Sequence, residues 1–547
     1  MKIATAEQMR GLDQSAIRER GIPSLQLMDR AAAAVVKRCL ERLEGKKRRR
    51  VAVFCGAGNN GGDGVAAARQ LLEAGVEVRC FVGGRRDKMT PDCREMEAHL
   101  EATGGKLENF TADPAFADWC LGCDLMVDAL FGIGLNTALR GDAYTAVQMM
   151  NTCAVPVVSV DIASGVEADT GRVLGCAVEA AETVTFTLPK VGNLLGEGGA
   201  LSGQLTVADI GIPADLVRNL EGNLHAVFPE ELHLPRRARD SHKGNYGKVY
   251  ILAGSVGYSG APILAARAAV RTGSGLVSLG VPAPVWPIAA QKLDEAMPHP
   301  LPASKDGMLS LEAAEEVLRR LEPCGVCLIG PGLGRGNSVS SVVRHMLRTV
   351  RLPVVLDADG INALDGHIDG LDARQGECTV LTPHDGEFAR LGGDLASGDR
   401  LSAARAFAAE HGCVLVLKGH RTITAFPDGE AYVNTTGNPG MSKGGSGDVL
   451  SGMILSLLGQ GFSPRTAVPM AVCLHGMSGD LCAQELGEYG MIPGDMIDRH
   501  PRLRKSINRE NSAPKMENRR RSCAQDGVRT DDDPVSSARW VRRTGHR

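Results

Sequence analysis

Residues 438–450, Asn-Pro-Gly-Met-Ser-Lys-Gly-Gly-Ser-Gly-Asp-Val-Leu, gather four glycines and one carboxylate ahead of an apolar run that reads as helix. Gly440, Gly444, Gly445 and Gly447 leave backbone N–H groups free to turn inward on an anion. The N-terminus of the following helix adds partial positive charge at the same place. A carboxylate is repelled by phosphate, so Asp448 needs a chemical reason to stand there. Taking the proton from a hydroxyl as it attacks a phosphoryl group is such a reason. The plainer alternative is a loop that enters a buried helix with Asp448 as a cap.

Other loops of the second half offer matching groups. Lys418 and Thr422, together with the amides of Gly444–Gly447, suit phosphate. Glu387 or Asp357 could hold Mg²⁺ through water, and His384, in Thr-Pro-His-Asp-Gly-Glu, offers a directional hydrogen bond. The first half has a second constellation. Val51-Ala-Val-Phe-Cys runs into Gly56-Ala-Gly-Asn-Asn-Gly-Gly-Asp-Gly-Val, where Asn59, Asn60 and Asp63 interrupt the ordinary dinucleotide fingerprint. Their oxygens are hard ligands, so this turn suits a cation as well as a phosphate. Two further apolar runs end alike: Leu125–Asp128 leads to Gly132–Ala138, and Val157–Asp161 leads to Ser164. Taken singly these residues could merely begin turns. In a parallel sheet, however, such strand ends converge on one crevice.

The elements that must position these groups follow from periodicity. Ala6–Glu19 and Ser24–Leu43 read as amphipathic helices, then strand Val51–Cys55, a Gly-rich turn, helix Ala66–Ala74 and strand Val76–Val82, the opening of a doubly wound α/β sheet. Residues 219–241, with Pro229, Pro235, Arg236, Arg237 and Arg239 and weak periodicity, read as a linker between a domain over 1–218 and a second α/β domain over 242–505. The tail, 506–547, lacks periodicity and should be disordered. At 547 residues, 43% apolar and 4% aromatic, with 67 glycines, the chain fits α/β domains. Net charge is −3, but residues 501–547 carry 13 Lys/Arg against 6 Asp/Glu, leaving −10 for the rest. Bulk binding to nucleic acid or membrane is not expected. Neither a signal peptide nor a membrane span is expected, and 15 scattered cysteines suit reduced thiols in a cytoplasmic protein. Cys120/Cys123 and Cys324/Cys327 are two Cys-x-x-Cys pairs in different domains, so buried thiols are expected there rather than one zinc site.

The marks Gln8-Met9…Asp13, Gly21-Ile-Pro-Ser24, Gly58–Gly64, Asp128 with Gly132-x-Gly134, and Asp161-Ile-x-Ser164-Gly165 resemble the NAD(P)HX epimerase domain over roughly residues 1–215. The resemblance implies a Rossmann-like domain that binds hydrated NAD(P)H. By it, Asn60, Asp128 and Ser164 would hold K⁺. Asn59, Asn60, Gly61, Gly62, Asp63, Gly132, Ile133, Gly134, Leu135, Asn136, Thr137, Ala138 and Asp161 would contact substrate, with Asp161 catalytic. Ala163 replaces the family's usual proline, which bears on turn stiffness. From about 230 to 505, His242-Lys-Gly, Tyr258-Ser-Gly-Ala261, Gly330-Pro-Gly-Leu-Gly334, Leu356-Asp-Ala-Asp359, Thr382–Glu387, Lys418-Gly and Gly445-Ser-Gly-Asp448 resemble the ADP-dependent NAD(P)HX dehydratases, of ribokinase-like fold. That implies substrate contacts from Ala261, Gly332, Gly334, His384 and the catalytic Asp448. It implies nucleotide contacts from Lys418, Gly419, His420, Arg421, Thr422 and Gly447. In this order the two resemble the bacterial bifunctional NAD(P)H-hydrate repair enzymes. The expectation is epimerisation of R and S NADHX or NADPHX, then dehydration of the S epimer with ADP, releasing AMP and phosphate, in a homo-oligomer using K⁺ and Mg²⁺. A kinase of a small alcohol, such as a vitamin precursor, fused to a nucleotide-binding module stays open as the alternative.

Overall fold

The computed structural model describes residues 1–111 and 114–510, with side chains over 1–111 and 116–503. It contains two α/β units, each built on its own sheet. The first sheet has seven strands: β1 Arg50–Cys55, β2 Glu77–Val82, β3 Leu107–Asn109, β4 Leu125–Ala129, β5 Val157–Val160, β6 Glu182–Phe186 and β7 Gln204–Ala208. Their order is β3-β2-β1-β4-β5-β6-β7, parallel throughout. β1, β4 and β5 are buried and mostly apolar because helices cover both faces of the sheet. Chain direction across the sheet reverses between β1 and β4, which opens a crevice at their carboxyl ends.

Helices α1 (Ala6–Arg18) and α2 (Ser24–Arg42) form as their apolar spacing predicts, α1 closed by a Thr5/Gln8 capping box. The Gly-rich turn differs from expectation. Helix α3 spans Asn59–Glu73, starting seven residues before the predicted Ala66, so Asn59–Asp63 form its opening turn. The glycines are helical because side chains have no room. A Cβ on Gly61 would lie 1.8 Å from the Gly56 carbonyl oxygen, and one on Gly64 2.4 Å from Ala129 Cβ. Close helix–sheet packing therefore decided this boundary against intrinsic propensity.

The second sheet has ten strands: β8 Leu224–Val227, β9 Lys248–Leu252, β10 Leu276–Pro282, β11 Met297–Leu301, β12 Val326–Ile329, β13 Val354–Leu356, β14 Thr379–Leu381, β15 Val414–Leu417, β16 Ile423–Ala425 and β17 Ala431–Asn434. The order is β11-β10-β9-β12-β13-β14-β15-β16-β17-β8, parallel from β11 to β15, with β16 antiparallel to both its neighbours. Apolar clusters lie on both faces.

The stretch expected as a linker is partly built in. β8 lies inside residues 219–241 and pairs in parallel with β17 at the sheet edge. Residues 1–4 lie along it: Ile3 N donates to Leu224 O at 2.9 Å and Ala226 N to Met1 O at 2.8 Å. The terminal ammonium binds Ala226 O (2.9 Å) and Glu231 Oε2 (2.7 Å), and Ala4 N reaches Pro189 O of the first unit at 2.9 Å. Residues 1–4 thus join the two units and cover an edge that would otherwise be open. The closing helix runs Pro493–Glu510; the remainder of the tail expected over 506–547 lies outside the described residues. Among the described residues no helix is long and apolar enough to cross a membrane. Cys120, Cys123 and Cys327 are buried free thiols and Cys324 is half-buried.

Candidate active sites

The crevice of the first sheet is a cavity of about 640 Å³. The ends of β1, β4 and β5, the start of α3 and the inner faces of α1 and α2 wall it. Of the residues singled out by sequence, Asn59, Asn60, Asp63, Gly132, Ile133, Gly134, Leu135 and Asp161 line it. Gly61, Gly62, Asn136, Thr137 and Ala138 do not. Gly61 and Gly62 instead press α3 onto the sheet and onto Met28 and Cys93.

Asp161 follows β5 with φ 68°, left-handed and rare for a side chain. Its Oδ1 accepts from Phe186 N (3.3 Å), from Thr185 Oγ1 (3.1 Å) and from the ammonium of Lys190. Lys190 is buried and also donates to Thr185 Oγ1 at 2.9 Å and Phe186 O at 3.3 Å. Asn193 Nδ2 donates to the Asp161 carbonyl at 3.1 Å. Sequence reading passed over Lys190. Its only signal in the sequence is the turn Leu188-Pro-Lys190 after the Thr-rich run of β6.

The expected cation ligands meet around one loop. Asp128 is fully buried; Oδ2 accepts from Ser159 Oγ (2.8 Å) and Ser164 N (2.9 Å), and Oδ1 from Leu130 N (3.3 Å). Burial raises the Asp128 carboxyl, and the hydrogen bonds from Ser164 and Ser159 act against that. Ser164 Oγ accepts from Phe131 N at 2.9 Å and donates to Phe131 O at 3.3 Å. Asn60 Oδ1 lies 2.9 Å from where a Gly132 Cβ would be, and its buried Nδ2 has no partner. The Leu130–Gly132 backbone is thus the common neighbour of all three.

In the second unit the strand ends bring together Asp357 (after β13), Thr382 and His384 (after β14), Lys418 (after β15) and Asp448. Gly445 takes φ 100° and caps helix Ser446–Gly459, which puts Asp448 in its first turn. Lys418 Nζ donates to Asp357 Oδ1 at 3.1 Å and lies 3.7 Å from Glu387 Oε2. Burial pulls its ammonium down, but the two carboxylates hold it above the ordinary lysine range. Thr382 Oγ1 donates to the same Asp357 oxygen at 2.7 Å, leaving buried Oδ2 without a partner. Burial and the neighbouring Asp357 push Asp448 up to about 7, against the pull of Lys418. That is the range in which a carboxylate can act as a base at neutral pH.

A Cβ on Gly447 would stand 3.3 Å from Lys418 Nζ and 3.8 Å from Asp357 Oδ2, so this glycine keeps the space beside that ion pair open. Gly447→Ala should therefore fold normally, alanine being the better helix former. Displacing the bound groups by about an ångström should cost about 10²-fold in turnover. A melting curve and steady-state rates check both halves of that expectation.

The remaining residues fall into place unevenly. Gly332 packs against Tyr258 and Ala261, and its carbonyl accepts from Ser255 Oγ at 2.8 Å. Gly334 N donates to Asp359 Oδ2 at 2.8 Å. His384 is largely exposed; its Nδ1 accepts from Gly386 N at 3.0 Å, and Glu387 Oε2 accepts from His384 N at 3.0 Å. Gly419 and His420 are exposed, and Thr422 Oγ1 bonds within the loop to Gly419 O at 3.1 Å. Arg421 turns away from the site: its guanidinium donates to Thr435 O at 2.6 Å. The six non-glycine residues with positive φ among the described residues include Asp161 itself and Ala358, the neighbour of Asp357. Each such conformation costs about 1–3 kcal/mol and persists where surrounding structure holds it.

Residues 24–192 match the family described as YjeF-related protein N-terminus, and residues 249–502 the NAD(P)H-hydrate dehydratase family. The chain is 42% identical over 519 residues to the bifunctional NAD(P)H-hydrate repair enzyme of Moorella thermoacetica, covering 93% of this chain and 98% of that one. The chain belongs to the family of bifunctional NAD(P)H-hydrate repair enzymes. Another member of the repair-enzyme family, from Thermofilum pendens, is 36% identical over 93% of this chain and 97% of its own length. Among solved structures, the ADP/ATP-dependent NAD(P)H-hydrate dehydratase of Bacillus subtilis, co-crystallised with ATP and Mg²⁺, is 36% identical. It covers 50% of this chain and 94% of its own, with a TM-score of 0.44.

Proposed function

We propose that this chain restores hydrated NAD(P)H in two steps, one in each unit. The crevice of the first sheet interconverts the R and S epimers, and the second unit dehydrates the S epimer with ADP as phosphoryl donor, releasing AMP and phosphate. The observation that carries the reading is the placement of Asp448. It is a base with a raised pKa in the first turn of a helix, behind a left-handed Gly445, with Gly447 holding space open toward Lys418.

Asp448 takes the proton from the ring hydroxyl as that oxygen attacks the terminal phosphoryl group. Lys418 and the N–H groups of Gly445–Asp448 offset the charge that gathers on the transferring phosphoryl oxygens. The phosphate then leaves with help from the ring nitrogen's lone pair. Ala261, Gly332, Gly334 and His384 frame the hydrated ring, and Lys418–Thr422 with Gly447 frame the adenine nucleotide. The free Oδ2 of Asp357 or the carboxylate of Glu387 fits Mg²⁺ held through water. When bound, the ion would neutralise nucleotide phosphate charge.

Incubation of mixed hydrate epimers with ADP, Mg²⁺ and K⁺ tests the reading. NADH absorbance should grow until both epimers are consumed, with phosphate released. Accumulation of a stable phosphoester would instead mark a small-alcohol kinase and overturn the second step.

In the first unit Asn60, Asp128 and Ser164 supply only oxygens and a single formal charge, a set that fits a large monovalent ion better than Mg²⁺. Bound there, K⁺ would brace the start of α3 against the Leu130–Gly132 loop. Epimerisation should therefore fall when Li⁺ replaces K⁺ at matched ionic strength, while dehydration of pure S epimer in the second unit should be indifferent to the exchange. Asn60→Ala is the suitable probe, because Asp128→Ala would strand the N–H groups of Ser164 and Leu130 at about 1–3 kcal/mol each. Equal epimerase rates in the two salts would remove the cation from this site.

A further inference from the structure

Asp13 is a carboxyl in the middle of α1, on the turn between the buried residues Met9, Leu12 and Ala16. It is too far along the helix to cap it, and among the described residues it forms no ion pair. A carboxyl placed so costs stability unless it is paired or protonated. It lines the first-unit cavity together with Asp63 of α3, Asp161 after β5 and Lys190 after β6. Of the lining cations, Lys190 is paired with Asp161, and none is paired with Asp13 among the described residues.

The helix carrying Asp13 is held with unusual care at its start. Thr5 and Gln8 form the capping box, Ala6 N donates to Asp169 Oδ1 at 2.6 Å, and residues 1–4 are tied into both units. Met9, Arg10, Asp13 and Ile17, one face of α1 by their spacing, all reach the cavity. This is how an element would be fixed if one of its side chains had to meet a ligand.

We infer that Asp13 is a second catalytic residue of the epimerase site, the acid that works with Asp161 as base. This rests on the reading of the cavity given above. The reacting carbon bears a hydroxyl and the ring nitrogen, so its configuration can invert by opening and reclosing the ring. Asp161 takes the hydroxyl proton, and the released O–H electron pair becomes the second carbon–oxygen bond. The carbon–nitrogen bond breaks, its electron pair stays on nitrogen, and nitrogen takes the proton of Asp13. The aldehyde so formed turns about its carbon–carbon bond, and nitrogen attacks its other face. Nitrogen returns its proton to Asp13, and Asp161 returns its proton to the oxygen. No oxidant or co-reactant is consumed, and only the configuration has changed.

The neighbours of Asp13 are consistent with it carrying a proton. Burial, and next the charge of Asp161, raise it to about 6, with Lys190 acting the other way. Asp63, also raised by burial and by Asp161 and Asp13, lies well above its ordinary range and suits a hydrogen-bond donor to substrate. Arg10, Lys88 and Asp92 complete the charged lining. Epimerase kcat/KM should fall as pH rises through about 6, as the acid form is lost.

The test uses the full chain with pure R epimer, ADP, Mg²⁺ and K⁺, following NADH absorbance. Asp13→Asn should lower epimerase kcat about 10²–10⁴-fold with little change in KM, and abolish the fall above pH 6. Asp13→Glu should restore a measurable part of the rate. Dehydration of pure S epimer by the same preparations shows that the protein is intact. A near-normal rate in Asp13→Asn overturns the assignment, as does a loss that resides in KM or in melting temperature. Asp161→Asn, run alongside, separates the failures. If it is inactive while Asp13→Asn is active, only the role of Asp13 is wrong; if both are active, the cavity is not the epimerase site.

Discussion

Asp448→Asn should lower dehydration about 10²–10⁴-fold under saturating ADP while leaving the fold and nucleotide binding in place. The change removes the base and almost no volume. It also has a stability signature that a capping role would not produce. The Asp448 carboxyl is raised from 3.8 to about 7, first by burial and then by Asp357, so the native state favours the neutral form. The stability this contributes is fully present below about pH 4 and is lost as pH rises through about 7. Asparagine has no proton to lose there. The melting temperature of the variant relative to wild type should therefore increase from pH 4 to pH 8. A cap would behave in the opposite sense, because a charged carboxylate at a helix N-terminus stabilises. Wild-type kcat/KM for dehydration should rise through the same pH range as the base ionises. If the variant keeps near-wild-type turnover, Asp448 is not the base.

Asp161→Asn should stop conversion of the R epimer and leave dehydration of pure S epimer untouched. With mixed epimers, NADH production would level off once the S form is consumed, apart from slow spontaneous epimerisation. The expected loss is of the same order, about 10²–10⁴-fold. Asparagine is preferred to alanine because Lys190 is buried and bonds directly to this side chain. Both changes leave the ammonium charge uncompensated, at about 3–5 kcal/mol, but asparagine keeps an oxygen that accepts its hydrogen bond, and a melting curve separates loss of fold from loss of chemistry. A variant that consumes both epimers at the normal rate would show the carboxylate to be dispensable. The two variants are complementary, since each should spare the half-reaction that the other removes, and mixing them in one tube should recover the full reaction.

Much of this was present in the sequence because it is local. The apolar runs of β1, β4 and β5 identify buried parallel strands, and polar groups at their ends must then point into one crevice. In the same way Gly444–Gly447 followed by Asp448 and an apolar helix carries its own geometry, since glycine conformation and helix dipole act over a few residues. What the sequence could not decide depends on contacts between distant segments. That α3 begins at Asn59 follows from a lack of room against Gly56 and Ala129. That residues 224–227 form a strand inside an apparent linker depends on β17 and on residues 1–4, each about two hundred positions away. Lys190 became visible only once β6 placed it against Asp161, and Arg421 left the nucleotide loop only because Thr435 O lay within its reach. Asp13 stands in the sequence as one mark of a resemblance without a role, and only tertiary packing places it with Asp63, Asp161 and Lys190 at one cavity. Strand ends and glycine turns are determined by their neighbours in the chain, whereas the charge state of a buried carboxyl is determined by which groups the fold brings beside it.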